Sequence, residues 1–319
     1  MRNYILKRIG LIFVTAFLIV FLVFVFIKLL PQYQQKVLGL DPEIQQLLEE
    51  REGYNKPIID QFFIWLTNIF RYGGLGRSIV LNREISAIFA EKIPVTVRLN
   101  IWPYLLSIPL GIVFGVWAAL KKNRITDHVI STGVIFFISV PSFVVGTMLQ
   151  YYVVYVWKLL ENPFVYSELE FSQNPFMGIV SYFLPVLVMT LSGVAGLTRV
   201  TRAELTEVLT SEFMLLCRTK GLTKRQATFR HGLRNAMVPI APSLIGGFIS
   251  ILSGSLIIER IFRVPGIGRV YLDAFNSFDY PLILAMVVFY TVIGLAATLI
   301  VDLSYGIVDP RIRMGAGKR

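Results

Sequence analysis

Residues 199–239 read RVTRAELTEVLTSEFMLLCRTKGLTKRQATFRHGLRNAMVP and lie between two stretches apolar enough to cross a lipid bilayer. The segment holds three Glu against eight basic residues: Arg199, Arg202, Arg218, Lys220, Lys224, Arg225, Arg230 and Arg234. Lys and Arg concentrate in the cytoplasmic loops of membrane proteins. A basic loop of this length between two spans predicts a cytoplasmic docking surface in a membrane protein.

The whole chain has the composition of a membrane protein. Its 319 residues are 55% hydrophobic and only 16% charged, and their mean hydropathy is +0.65. This apolar surface exceeds what one soluble core could bury. The net charge of +11 would suggest nucleic acid in a soluble domain, but retention of Lys and Arg on the cytoplasmic side explains it here. We therefore predict an all-α polytopic membrane protein with no nucleic-acid partner.

Six segments are long enough to span a hydrocarbon core of about 30 Å, which takes about 20 helical residues. They are residues 9–30, 97–120, 129–157, 176–197, 236–258 and 282–305. Arg2, Lys7 and Arg8 precede the first segment as in a signal peptide. The apolar run is too long for such a peptide and no small-residue cleavage site follows, so a retained anchor is expected.

The distribution of basic residues predicts the orientation of the chain. With the N-terminus inside, 18 of the 31 Lys and Arg residues fall in cytoplasmic segments. The two shorter outside loops hold only four, and the long first loop counts for little under the positive-inside rule. Both termini are therefore predicted to be cytoplasmic.

The chain lacks the residues of a catalytic or metal-binding protein. Cys217 is the only cysteine and there are two histidines, so neither an intramolecular disulfide nor a zinc site is predicted. No phosphate-binding G-x-x-x-x-G-K-[ST] loop occurs. The spans also lack the ionisable residues of an ion-coupled carrier, except Asp302, for which an ion pair with Arg311 or Arg313 is favoured over a relay role. The energy for any transport is expected to come from a partner.

Two patterns within the spans concern packing and a transport path. Pro141 and Pro185 each remove a backbone donor and are expected to kink or loosen their helices. Kinks next to Ser139, Ser142 and Gly193 would line a polar pathway, although ordinary bundle packing explains them equally well. Small residues that recur every four positions allow close helix approach, within one subunit or between subunits: Ser107, Gly111, Gly115 and Ala119, and Gly246, Ser250 and Gly254.

The basic segment itself contains signals for a short helix. Ser211 is placed to cap its N-terminus, and Glu212 in the first turn suits the positive end of the helix dipole. Arg218 and Lys220 lie in the last turn, where cations are favourable. Gly221 can adopt the left-handed conformation that ends a helix.

A second short helix is predicted after this glycine. Thr223 and Gln226 have the spacing of a capping box. The helix that follows carries four cations: Lys224, Arg225, Arg230 and Arg234. A helix-turn-helix could read DNA, but a loop tethered to the bilayer at both ends does not enter a groove easily. Contact with anionic lipid and insertion of a rigid helix into a groove of another protein both suit the pattern.

These residues resemble a known family. Thr219-Lys220-Gly221-Leu222, followed by residues 230–239 (RHGLRNAMVP), is similar to the EAA loop of ABC-importer permeases, in the form found in the peptide and nickel importers. Further motifs of that family occur in the same order: residues 72–78 (YGGLGRS), 93–96 (IPVT), 140–143 (VPSF), 259–262 (ERIF), 265–268 (PGIG), 302–305 (DLSY) and 309–313 (DPRIR). Together they point to the subfamily of the first, B-type permease.

The resemblance implies a fold and a function. The fold is the type I ABC-importer permease fold, with about six transmembrane helices, cytoplasmic termini and a coupling-helix loop. The implied partners are a second homologous permease, two cytoplasmic ATPases that hold ATP and Mg, an extracytoplasmic substrate-binding protein and membrane lipid. This chain would bind no cofactor and would lie in a prokaryotic plasma membrane. Oligopeptides or dipeptides are the implied cargo, with nickel or a metal chelate as the alternative, and a secondary carrier or membrane scaffold as the alternative of another class.

The resemblance also assigns regions and residues. The regions are an N-terminal tail with the first span (1–30), an extracytoplasmic loop (31–96), a permease core (97–305) with the coupling loop 199–235, and a cytoplasmic tail (306–319). Contact with the ATPases is assigned to Glu212, Arg218, Thr219, Lys220, Gly221 and Leu222. The pathway lining is predicted separately, from the proline kinks in the spans, to include Ser139, Pro141, Ser142 and Gly193.

The chain departs from the family pattern in two places. Pro31-Gln32-Tyr33 follows the first span where a Pro-Gly-Asp-Pro cluster is usual, and Asp41-Pro42 comes only later. Leu215, Leu216 and Cys217 stand where the wider superfamily has Glu-Ala-Ala. The second departure leaves open which side chains of the coupling helix enter a partner's groove.

Overall fold

A computed structural model describes residues 2–30, 46, 50, 53, 55–72 and 74–308 of the chain. Residues 31–45 and 309–319 lie outside the described part, and with them the segment after the first span, the motif at 309–313 and both arginines expected to pair with Asp302. The described residues are helical, apart from connecting turns and one isolated β-bridge between Arg77 and Glu84.

The helices are numbered here in chain order. The first eight are α1 Arg2–Leu29, α2 Ile58–Tyr72, α3 Ile85–Leu120, α4 Ile125–Ser139, α5 Ser142–Gln150, α6 Glu168–Gln173, α7 Pro175–Ser181 and α8 Phe183–Leu209. The remaining ones are α9 Glu212–Thr219, α10 Lys224–Ala227, α11 Leu233–Ala236, α12 Ala241–Ser250, α13 Leu256–Ile261, α14 Ile267–Asn276 and α15 Tyr280–Val308. A π-helical turn follows α5 at Tyr151–Val156, and another joins α10 to α11 at Thr228–Gly232.

Five helical segments in the described part of the chain are long and apolar enough to span a bilayer. They are Leu6–Leu29, Ile85–Leu120, Pro175–Leu209, Ala241–Ile261 and Tyr280–Tyr305. A sixth span is formed if α4 and the segment that starts at α5 are counted as one. The prediction of about six spans is thus confirmed, while the cytoplasmic position of both termini stays a prediction.

Several span boundaries differ from the predicted ones. The second span, formed by α3, begins at Ile85 instead of residue 97, and α8 continues past residue 197 to Leu209. Ile85 and Phe89 are buried in a cluster with Phe62 and Tyr280, so tertiary packing holds the additional turns of α3 in place. Hydropathy detects only the part of a helix that matches the bilayer, because an extension beyond it need not be apolar all round.

The third predicted span, 129–157, is broken within the membrane segment. The helix breaks at Pro141, and the two halves meet at an angle of 93°. Pro141 cannot donate a hydrogen bond to the carbonyl of Phe137, and its ring forces Val140 into an extended conformation, with φ −80° and ψ 123°. The predicted kink at Pro141 is confirmed, but as a sharp break.

Pro185 has a milder effect on its helix. It is the third residue of α8, which begins directly after Tyr182, the residue that separates α7 from α8. Pro185 cannot donate a hydrogen bond to Ser181, whereas Val186 donates to the carbonyl of Tyr182 over 3.0 Å. The predicted loosening is therefore a change of helix three residues before the proline.

Small residues bring α3 and α8 into close contact. A Cβ atom added to Gly111 would lie 2.7 Å from Leu197, and one added to Gly115 would lie 2.9 Å from the carbonyl oxygen of Thr198. The Thr198 hydroxyl also donates to the carbonyl of Gly111 over 3.3 Å. This small-residue face of α3 packs within the subunit.

Gly115→Ala is expected to lower the stability of the protein by about 1–3 kcal/mol, because the new methyl group meets backbone and a buried threonine in a packed contact. Gly133→Ala is the matched control, since a Cβ atom there has nothing within 4 Å. Thermal unfolding in detergent should show a lower midpoint for Gly115→Ala alone. Equal midpoints would mean that α3 and α8 are not this close.

Asp302 pairs with a residue of the first helix. Its carboxylate lies 3.1 Å from the guanidinium of Arg8, so the ion pair joins α15 to α1. The partners expected from the sequence, Arg311 and Arg313, lie outside the described residues. Arg8 reaches Asp302 because α1 packs along α15, with Phe24 of α1 in the same buried cluster as Leu282 and Met286 of α15.

Candidate functional site

The first helix of the basic loop begins and ends where the sequence indicates. It spans Glu212–Thr219, with Ser211 before it. The predicted cap is wrong in detail, because the Ser211 hydroxyl donates to the carbonyl of Val208 over 2.6 Å and accepts no bond from α9. The preceding helix ends at Leu209, so its last carbonyls lack helical partners and compete for this hydroxyl.

Gly221 ends α9 in the left-handed conformation, with φ +86°. The N–H of Leu222 donates to the carbonyl of Cys217 over 3.3 Å, and the N–H of Gly221 donates to that of Arg218 over 3.0 Å. This bond pattern is the Schellman motif, and Leu222 packs against the cluster of Met214, Cys217 and Ala227, the kind of hydrophobic contact that often accompanies the motif. The predicted glycine turn is confirmed.

The second helix begins with the predicted capping box. The Thr223 hydroxyl accepts from the N–H of Gln226 over 3.3 Å, and the Gln226 side chain accepts from the N–H of Thr223 over 3.0 Å. Residues 224–236 continue as α10, a π turn and α11. The loop is therefore a fixed pair of helices around a glycine turn.

The packing of α9 shows which of its side chains are free to enter a groove of a partner. Met214 and Cys217 are buried against Ala227 and form a small core under the helix. Leu215 and Leu216 point outward and are 62% and 52% exposed. Five consecutive apolar residues in an eight-residue helix cannot all face one side, and this was the signal in the sequence for an exposed apolar surface.

The exposed face of α9, together with the residues that follow it, forms the docking face. It consists of Phe213, Leu215, Leu216, Arg218, Thr219 and Lys220, all exposed. Glu212 and Gly221 are also exposed, whereas Leu222 is only half exposed because it closes the Schellman motif. A rigid patch that combines apolar and basic side chains is typical of a protein interaction surface.

Arg202 belongs to the same basic segment but serves another purpose. Its guanidinium donates two hydrogen bonds to Asp127 of α4, over 2.6 and 2.8 Å. Asp127 is only 1% exposed and also accepts from the N–H of Asn123 and the hydroxyl of Ser131. The ion pair fastens the start of the broken span to α8, the helix that leads into the docking face.

Arg202→Ala is expected to destabilise the protein more than Asp127→Ala. Loss of the arginine leaves a buried carboxylate without its counter-ion, whereas loss of Asp127 leaves an arginine that is 33% exposed and can reach water. Breaking a buried pair in this way costs about 3–5 kcal/mol. Thermal unfolding of both variants in detergent measures the difference, and the reverse order would contradict the burial of Asp127.

The residues assigned to the pathway fall into two groups. Ser139 and Pro141 are exposed and Ser142 is half exposed, so the three lie together at the break between α4 and α5. Gly193 lies elsewhere, in the contact between α8 and α3, where an added Cβ atom would be 2.9 Å from Ser107. The break between α4 and α5 therefore leaves the Ser139 and Ser142 side chains accessible.

A buried carboxylate lies at the opposite end of the bundle, on a glutamate that the sequence analysis named only as the start of the motif at 259–262 and gave no role. Glu259 is 0% exposed and accepts hydrogen bonds from the N–H groups of Gly268 and Arg269, over 2.8 and 3.2 Å. It also accepts from the N–H of Ser255 and from the hydroxyl of Thr96. Its carboxylate thus satisfies the N-terminus of α14, where a negative charge is favourable.

The glycine turn at residues 265–268 is explained by this carboxylate. A Cβ atom on Gly254 or Gly266 would lie 2.5 Å from a carboxylate oxygen of Glu259. The same turn begins α14 at Ile267. In the sequence, the glutamate six residues before Pro265 was the signal for a carboxylate that binds this turn.

Comparison with known proteins places this architecture in a family. Residues 111–314 match the family described as the binding-protein-dependent transport system inner membrane component. The chain belongs to this family. It is therefore the permease subunit of an ABC importer, a membrane component that works with a substrate-binding protein and an ATPase.

The similarity extends over nearly the whole permease. The dipeptide transport system permease protein of Lactococcus lactis is 34% identical over 316 residues, which cover 98% of this chain and 100% of the relative. The glutathione transport system permease protein of Escherichia coli K12 is 30% identical over 319 residues, which cover 98% and 99%. A crystal structure of an amino acid ABC transporter matches 69% of this chain and 94% of its own, with 18% identity and a TM-score of 0.49.

Proposed function

We propose that this permease forms half of a translocation pathway for short peptides. Supporting the proposal are the relatives named as dipeptide and glutathione permeases, which match this chain from end to end. In this proposal a second homologous permease forms the other half, and an extracytoplasmic binding protein delivers the peptide. Two ATPases bind ATP and Mg, and this chain binds neither and catalyses no reaction.

In this proposal, the docking face on α9 couples the permease to the ATPase. Leu215 and Leu216 are the side chains that enter a groove of the ATPase, and Arg218 and Lys220 contact its rim. The Schellman motif and the capping box fix the conformation before binding, so little conformational entropy is lost on docking. This role requires the loop to be cytoplasmic, as the distribution of basic residues predicts.

The broken span transmits the movement of the docked loop to the pathway. Motion of α8 reaches α4 through the ion pair between Arg202 and Asp127. The break at Pro141 then allows α4 and α5 to move separately and to expose or cover Ser139 and Ser142. Rigid-body shifts of this kind open a pathway alternately to the two sides of the membrane.

Transport in proteoliposomes tests the proposal. The permease would be isolated in mild detergent with its copurifying subunits, identified by mass spectrometry, and reconstituted with the binding protein. ATP-driven uptake of a radiolabelled dipeptide is expected, with competition by unlabelled dipeptide and none by nickel. Uptake of nickel without peptide competition would overturn the peptide assignment, and isolation of the chain alone would overturn the importer.

Leu216→Asp tests the docking face within the same assay. The charge would have to be buried in the apolar groove of the ATPase, so copurification of the ATPase should fall at least about tenfold. Phe229→Asp is the matched control, because Phe229 lies in the same loop and is 48% exposed but is outside the docking face. Equal copurification of the ATPase with both variants would exclude the docking face as the contact.

A further inference from the structure

A groove of about 470 Å³ lies at the end of the bundle opposite the docking face. It is bounded by the turn at residues 78–83, the start of α3 and one side of α14. Its floor is apolar and consists of Val80, Leu81, Ile88, Val270, Ala274 and Leu282. The groove belongs neither to the docking face nor to the broken span.

The turn that forms one wall of the groove is held rigidly. Asp279 is 0% exposed and accepts hydrogen bonds from the Ser78 hydroxyl and from the N–H groups of Ile79 and Val80. The N–H of Ser78 donates to the carbonyl of Arg83 over 2.9 Å and closes the turn. These bonds leave the side chains of Val80 and Leu81 48% and 49% exposed. A fixed loop that presents large apolar side chains to solvent is typical of a binding surface.

The exposed charges around the groove are mainly positive. Arg83 and Lys92 both pair with Glu91, over 2.8 and 2.7 Å. On the other wall, Arg269 pairs with Asp273 over 3.6 Å, and Arg260, which lies outside the groove lining, pairs with the same carboxylate over 3.4 Å. Four cations therefore share two exposed carboxylates. The carboxylate of Asp279 is enclosed by the turn and is not available at the rim.

We propose that this groove receives a loop of the extracytoplasmic binding protein that presents an apolar side chain flanked by carboxylates. The apolar side chain fills the floor between Leu81 and Val270, and the carboxylates meet the surplus cations of the rim. The inference rests on the proposed function, which supplies the binding protein and places this end of the bundle outside. Preorganisation by Asp279 lowers the entropic cost of the contact.

The test measures binding of the purified binding protein to the reconstituted permease complex in nanodiscs. Leu81→Asp should raise the Kd at least about tenfold, because it places a charge on the apolar floor and repels the carboxylates of the partner. Leu81→Lys should raise the Kd less, because the charge of the lysine is opposite to that of the partner's carboxylates. Phe70→Asp is the control: Phe70 lies on α2, is 80% exposed and does not line the groove. ATP hydrolysis without the binding protein should be the same in all variants.

Three outcomes would overturn the inference. Equal Kd values for Leu81→Asp and Phe70→Asp would show that the groove is not the contact. Loss of the second permease from the Leu81→Asp complex would make the groove an interface between permeases. If Leu81→Asp and Leu81→Lys lowered the affinity equally, the partner would not present carboxylates to the groove. Failure of the proposed function is distinguishable, because the unsubstituted complex would then show neither ATP-driven dipeptide uptake nor stimulation of ATP hydrolysis by the binding protein.

Discussion

Gly221→Val is expected to reduce ATP-driven uptake at least about tenfold while the protein remains in the membrane in normal amount. Gly221 has φ +86°, and a β-branched residue in this left-handed conformation is strained by about 1–3 kcal/mol. No atom lies within 4 Å of an added Cβ, so the effect comes from the backbone alone. The strain opens the Schellman motif and changes the direction of the docking face.

Gly221→Asn is the matched control for this result. Asparagine tolerates the left-handed conformation better than other residues with a side chain, so this variant should retain most of the uptake. Membrane abundance of each variant is measured by immunoblot and uptake in proteoliposomes. Loss of the valine variant from the membrane would show that Gly221 is needed for folding and would contradict a role limited to coupling.

Glu259→Ala is expected to lower the stability of the permease by about 3 kcal/mol or more. The substitution leaves the N–H groups of Gly268 and Arg269 without their acceptor in a buried site, and each unsatisfied group costs about 1–3 kcal/mol. It also leaves a cavity beside Thr96. The expected result is a lower midpoint of thermal unfolding in detergent and less protein in the membrane.

One further variant separates the hydrogen bonds of Glu259 from its charge, and a second serves as a surface control. Glu259→Gln keeps one acceptor oxygen and should fall between the alanine variant and the unsubstituted protein. Glu161→Ala removes an exposed carboxylate and should leave the midpoint unchanged. If Glu259→Gln is as stable as the unsubstituted protein, the negative charge contributes little. If Glu259→Ala is also stable, the carboxylate does not hold the start of α14.

Local signals in the sequence predicted much of the docking loop. The glycine turn at Gly221 and the capping box of Thr223 and Gln226 each depend on residues within a few positions of one another. The cap by Ser211 failed because a carbonyl of the preceding helix is an equally close partner, and a pattern of residue types does not rank two such partners. The break at Pro141 was expected because proline acts on its own helix, but its angle was not.

The orientation of side chains around α9 required the tertiary structure. The sequence shows an unbroken apolar run from Phe213 to Cys217, which does not say which side chains face the rest of the protein. Packing against Ala227 and Leu222 selects Met214 and Cys217 as the inner face. Leu215 and Leu216 are consequently left outside, and they are the residues that the sequence analysis did not assign to docking.

The sequence by itself determined that this protein is a helical membrane protein, the approximate positions of its spans and how its docking loop turns. These properties follow from apolar runs as long as a bilayer is thick, and from hydrogen bonds and steric limits between neighbouring residues. Only the tertiary structure decided the pairs of Arg202 with Asp127, Thr96 with Glu259 and Ser78 with Asp279, whose members are 75, 163 and 201 residues apart. A charge or hydroxyl in the sequence has many potential partners, and helix packing brings only a few of them within hydrogen-bonding distance.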